Sequence, residues 1–195
     1  MIPAFLLIVV AVAYRIVTGL AIISGSTALS NFAPLAALAL CAAAYFPTKY
    51  KFAVPMMALL ISDVVLNASY GFSLFSPFVM SHYIGFALVG GLGWLLRNRA
   101  SFKTLLPASI AGSLTFYIVT NMVSWIFDPG YAKSSAGLVQ ALTVGLPQFS
   151  STPSWMFFRN SVLSDLLFTG LFILCMHWGR RPESARATSA LPRPI

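Results

Sequence analysis

The stretch "VPMMALLISDVVLN", Val54 to Asn67, decides how this chain is read. It is oily throughout except for one acid, Asp63, placed beside Ser62 in its middle. A carboxylate in such surroundings needs a reason, and a second "SD" recurs in "VLSDLL", Val162 to Leu167. The whole chain explains the setting. Its 195 residues are 58% hydrophobic and only 8% charged, with a mean hydropathy of +0.85. A soluble domain carries about 25% charged residues. Too little charge is present to coat a globule in water, so the sequence predicts an all-α integral membrane protein.

Working outward from Val54, a spanning helix needs about 20 mostly apolar residues. Six runs qualify or nearly so: 3–23, 31–46, 52–70, 77–96, 104–127 and 153–178, within one transmembrane domain over 1–179. Each has a proline near its start (Pro3, Pro34, Pro55, Pro77, Pro107 and Pro153). Proline is tolerated in a first helical turn, where its missing N–H has no partner to lose. "AVA" at Ala11 to Ala13 imitates a signal-peptide cleavage site, but no Lys or Arg precedes it, so an uncleaved first helix is expected. Between the fifth and sixth runs, "AGLVQALTVGL" is apolar yet too short to cross, and is expected to form a short re-entrant or interfacial helix. The tail 180–195, "RRPESARATSALPRPI", is polar and proline-broken and is expected to be disordered in the cytosol.

Charge sets the expected orientation. Lys49, Lys51, Arg97, Arg99, Lys103, Arg180, Arg181, Arg186 and Arg193 follow the second, fourth and sixth runs, against Lys133 alone on the other side. Under the positive-inside rule both termini are cytoplasmic. The basic residues alternate with apolar runs instead of forming one face, which excludes a nucleic-acid surface. Cys41 and Cys175 lie inside apolar runs without metal or redox spacing, and two histidines, His82 and His177, form no zinc motif. No nucleophile elbow or phosphate-binding glycine loop appears. The chain is expected to be no enzyme and to need no cofactor or metal.

Counting about 1.5 Å per helical residue puts Arg15, Asp63 and Asp165 near mid-membrane and Arg159 nearer the outer surface. An unpaired charge at the centre costs roughly 2.5–3.5 kcal/mol on insertion scales. The four signs sum to zero, so an inward-turned network of Arg15 with Asp63 or Asp165 is expected. The bland alternative is a purely structural clasp between helices. Higher up, Asn31, Asn67, His82, Asn121, Arg159 and Asn160 bring hydrogen-bonding groups to one level, flanked by aromatics. Convergent polar groups in an aromatic hollow suit a small-molecule site, with Arg159 favouring an anionic or carbonyl-bearing group. "ALCAAA" and "VGGLGW" place Ala39/Ala43 and Ala87/Gly91 at close-packing spacing.

The blocks "NFAPLAALALCAAAYF", "LLISDVVLN", "VTNMVSWIFD" and "FFRNSVLSDLLFTG" resemble the recurring blocks of an uncharacterised family of small bacterial multi-pass proteins. That family is similar, more remotely, to the substrate-binding S components of energy-coupling-factor vitamin transporters. The resemblance implies an S-component-like bundle of six helices with both ends cytoplasmic and a ligand pocket under the outer loops. The first helix, "FLLIVVAVAYRIVTGLAII", lacks the Ala-x-x-x-Ala patch by which S components dock on their coupling subunit. The expectation is therefore a transport component of the bacterial inner membrane that binds a small, vitamin-like solute. The competing expectation is a non-catalytic accessory subunit of a larger membrane complex.

Overall fold

The structure is a computed structural model that describes residues 2–23, 32, 34–71 and 73–189. Among them lie seven α-helices and no strand: α1 (Ile2–Ile23), α2 (Leu35–Tyr45), α3 (Ala53–Tyr70), α4 (Pro77–Leu95), α5 (Phe102–Phe127), α6 (Ser135–Leu142) and α7 (Ser154–Ser189), with a 3₁₀ turn at Arg97–Arg99. Five of these, all but α2 and α6, are long and apolar enough to cross a bilayer. Their outer faces carry large apolar side chains such as Val9, Val17, Met57, Leu88 and Leu163, each about half exposed or more. Such a surface suits hydrocarbon, where apolar groups need no burial. The chain is a multi-pass helical membrane protein.

The second run departs from the expected span over 31–46. Its helix has 11 residues, about 16 Å at 1.5 Å per residue, roughly half of a ~30 Å hydrocarbon core. The run starts late because Pro34 occupies the N-cap, and it stops at Phe46 before Pro47. α2 lies at the centre of the bundle, packed against α4, α5, α7 and α3. Every residue from Leu35 to Ala44 is buried. A sequence that is apolar all round and rich in alanine allows this, since no face has to meet water and neighbours can come close.

Glycines of α4 set that closeness. A Cβ added at Gly93 would sit 2.1 Å from the Leu40 carbonyl oxygen of α2, while one at Gly85 would run into Phe116 of α5. The Ala87/Gly91 pair singled out by spacing is not the contact, because Ala87 is exposed and Gly91 has open space around its Cβ position. The true face runs through Phe86, Val89, Gly90 and Gly93, about one residue round the helix.

The termini of the long helices have ordinary causes. Ser76 caps α4 by accepting from the Val79 N–H, with Pro77 in its first turn. A reciprocal Ser101–Thr104 capping box begins α5 two residues earlier than expected, leaving Pro107 inside the helix. α3 ends on Gly71, whose φ of 72° is left-handed. α7 continues past the expected end at Trp178 as far as Ser189, into the stretch expected to form the tail. Glu183, Ala185, Arg186 and Ala187 are good helix formers and carry the helix past Pro182. Residues 190–195 lie outside the described residues.

Candidate functional site

Polar residues recur along α5 and its C-cap at Ser113, Tyr117, Thr120, Ser124 and Asp128, in steps of four, three, four and four. That is one face of a helix. On α7, Ser154, Phe157, Ser161 and Asp165 repeat with steps of three, four and four. The two stripes face each other across a cavity of about 340 Å³ that both of them line. His82 and Phe86 of α4 and Arg15 of α1 complete the wall, while Leu35 and Ala36 at the start of α2 close the floor. The roof is the α5–α7 connection, through Tyr131, Gly145, Leu146, Phe149, Ser150 and Thr152.

The roof is held by specific contacts. The Tyr117 hydroxyl donates to the Leu142 carbonyl at 2.7 Å, and the Trp155 N–H donates to the Thr143 carbonyl at 3.0 Å. Gly145 has a φ of 74°, and any Cβ there would strike the Ser154 hydroxyl. Lys133 donates to the main-chain carbonyls of Trp125 and Asp128, satisfying the end of α5. Burial, with the neighbouring Asp128 second, pushes the Tyr131 hydroxyl up from its ordinary value, so it remains a neutral donor.

Asp165 sits at the bottom, 1% exposed. One carboxylate oxygen accepts from the Ala37 N–H at 2.9 Å and the other from the Ser113 hydroxyl at 2.6 Å. The first turn of a helix leaves N–H groups without partners, and in hydrocarbon each would be costly. Asp165 thus caps α2 from another helix, and its charge lies at the positive end of the α2 dipole. A half-length helix can begin inside a bundle because this acid receives it.

Asp63, on the neighbouring side, answers the opening puzzle differently. Arg15 Nη2 lies 2.7 Å from Asp63 Oδ1, and Arg15 Nη1 donates to the Ser62 hydroxyl. The pair joins α1 to α3. Asp63 Oδ2 is buried without a hydrogen bond of good geometry, although the Tyr83 hydroxyl of α4 is close enough to interact with the carboxylate. The two "SD" motifs therefore have separate duties: Asp63 meets a guanidinium, and Asp165 meets a helix end. No ion pair holds Asp165 among the described residues.

The six expected binding residues part company. His82 and Asn121 line the cavity. His82 stacks on Phe116 with centroids 5.7 Å apart, and Asn121 donates back to the Tyr117 carbonyl at 2.9 Å. Asn67 is buried and bonds to the Asp63 carbonyl in its own helix, off the lining. Arg159 is exposed, bonded to the Asn160 side chain and placed over the Trp155 ring at 5.9 Å. A long cationic side chain near a helix end turns outward when it can, so Arg159 supplies no charge to the cavity. Asn160 is buried off the lining, and Asn31 lies outside the described residues. The lining residues that were not foreseen are chiefly the hydroxyls of α5 and α7, whose signal was their helical period. No group of three or more metal-ligating side chains occurs among the described residues.

A bundle of helices long and apolar enough to cross a membrane, around a hollow lined by polar and apolar side chains, defines the class. Within it, the chain belongs to the family of unknown function DUF6580, which it matches over residues 1–186. Neither the curated proteins nor the solved structures contain a match to it.

Proposed function

We propose that this protein is a membrane transport component that binds a small organic, vitamin-like solute in the cavity between α5 and α7. One observation carries the reading: a hollow of about 340 Å³, within the range of small-molecule sites, is walled by two polar helix stripes inside an otherwise apolar bundle. Several of these hydroxyls bond within the protein, Tyr117 to the Leu142 carbonyl and Thr120 back to its own helix, and together they still border a volume large enough for a ligand. In this reading the bundle is S-component-like, α2 completes it as a sixth, half-length helix, and the α5–α7 connection is the outer lid.

Charge supports an orientation with the cavity outward in the bacterial inner membrane and both termini cytoplasmic. Lys51 and Arg97, from the two basic connections, flank the Trp94 ring at 5.0 and 5.3 Å. The positive residues thus gather at the end opposite the cavity mouth, as the positive-inside rule requires.

A second reading, an accessory subunit of a larger complex, draws on a wholly apolar groove between α1 and α3, lined by Ile8, Val9, Val12, Val54, Met57 and Ile61. Native mass spectrometry of the gently extracted protein separates the two. A near-stoichiometric small-molecule adduct is expected. A chain that carries no adduct but retains a stoichiometric protein partner would overturn the transport reading in favour of the second.

A further inference from the structure

The solute's charge can be read from the lining once Arg159 is removed from it. Three formally charged side chains line the cavity: Arg15, Asp128 and Asp165. Arg15 is neutralised by Asp63 at 2.7 Å. Asp165 keeps its acid uncompensated by any side-chain cation among the described residues, offset only by the α2 terminus, worth about half a positive charge. Asp128 stands at the mouth, where one oxygen accepts from the Gly130 N–H at 2.8 Å. Lys133 lies off the lining, with its ammonium on main-chain carbonyls. Of the three, the one cation is paired and the two acids remain, so the formal charge of the lining is negative.

Asp165, 1% exposed, borders the floor of the cavity with acceptor capacity to spare. An ionised carboxylate offers about four lone-pair sites, and the contacts from Ala37 and Ser113 occupy two. Phe86, Phe116, Phe149 and Phe157 also border the hollow, and aromatic rings attract cations that come over their faces. We propose that the cavity takes a solute bearing a protonated amine on an apolar or aromatic body, with Asp165 as its counter-charge and Asp128 drawing it in at the mouth. This rests on the reading of the cavity as the solute site, and it reverses the anionic preference expected from Arg159.

The test uses the full chain in neutral detergent with Ser124→Cys in the cavity and Ala136→Cys on exposed α6 as the reference. The parent chain, with Cys41 and Cys175, gives the background. Each thiol is titrated with the cationic trimethylammonium-ethyl methanethiosulfonate and its anionic sulfonatoethyl counterpart. At Ser124→Cys, the cation-to-anion rate ratio, normalised to the reference, is expected to be at least about tenfold. Asp165→Asn or Asp128→Asn should pull that ratio towards one, and Thr120→Cys provides the same readout if Ser124→Cys folds poorly. A normalised ratio of one or below, or a ratio untouched by both acid variants, overturns the amine proposal and leaves the solute site standing. Reaction of both reagents at the reference but of neither in the cavity overturns the amine proposal and the open site together.

Discussion

Arg15 and Asp165 stabilise the bundle by different means, and their variants should behave differently. Replacing Arg15 with Met would strand Asp63, which is 1% exposed; breaking a buried pair in this way costs about 3–5 kcal/mol. The expected outcome is a collapse of monodisperse yield after extraction, and an unchanged yield would refute the pairing's importance. Asp165→Ala would leave the Ala37 N–H unmatched, about 1–3 kcal/mol for a buried group, whereas the Ser113 hydroxyl keeps the Ser109 carbonyl at 2.9 Å as a partner. Asp165→Asn keeps an acceptor for Ala37 and a donor for Ser113. Thermal unfolding in detergent should therefore show a clear drop in Tm for the alanine variant and a small one for asparagine. Equal drops would mean that charge, and not the hydrogen-bond pattern, is what α2 needs. Asp63 was legible as a submerged acid because nothing else in its run is charged, and Asp165 because Arg159 is the one other charge in its run. Their partners were not, since a backbone N–H from a distant helix leaves no mark in sequence. Arg159 misled for a related reason: depth along a helix does not tell which way a long side chain turns.

The elements were legible where hydropathy and length agree, and less so where they diverge. α3 and α4 begin and end within about a residue of expectation because prolines and capping residues mark them. α2 shows the opposite case: the run 31–46 is apolar enough to suggest a span, but hydropathy cannot distinguish a lipid-facing helix from one enclosed by protein. The polar stripe on α5 was similarly hidden. Ser and Thr in helices often bond back to their own carbonyls, as Thr115 and Thr120 do here, so single hydroxyls say little until their period is counted. Close packing of α4 on α2 gives a direct test. Gly93→Ala forces a methyl against the Leu40 carbonyl, and overpacking of this kind costs about 1–3 kcal/mol. Gly91→Ala meets open space and gains helix propensity of up to about 1 kcal/mol. Tm should fall for the first and hold or rise for the second. A neutral Gly93→Ala would place the α2–α4 contact elsewhere.

At the scale of the whole molecule, the arrangement is a ring of apolar helices that keeps a polar interior out of lipid, with a buried half-helix as its floor and the α5–α7 connection as its roof. That connection is fastened through Tyr117 and Leu142, so Tyr117→Phe should loosen the roof while sparing the bundle. Faster amide exchange confined to α6, with Tm nearly unchanged, is the expected result, and unchanged α6 exchange would contradict it. The membrane class followed from composition alone, whereas the cavity required four long helices, a short floor and a loop to meet, which no single run of residues encodes. The most direct test of that hollow is a cysteine scan of α5 in cells with a membrane-impermeant thiol reagent applied from outside. Thr120→Cys, Asn121→Cys and Ser124→Cys should react, while Ile118→Cys, Met122→Cys and Ile126→Cys, on faces turned away from the cavity, should stay protected. Uniform protection along the helix, or labelling without a helical period, would contradict an outward-opening, water-filled cavity.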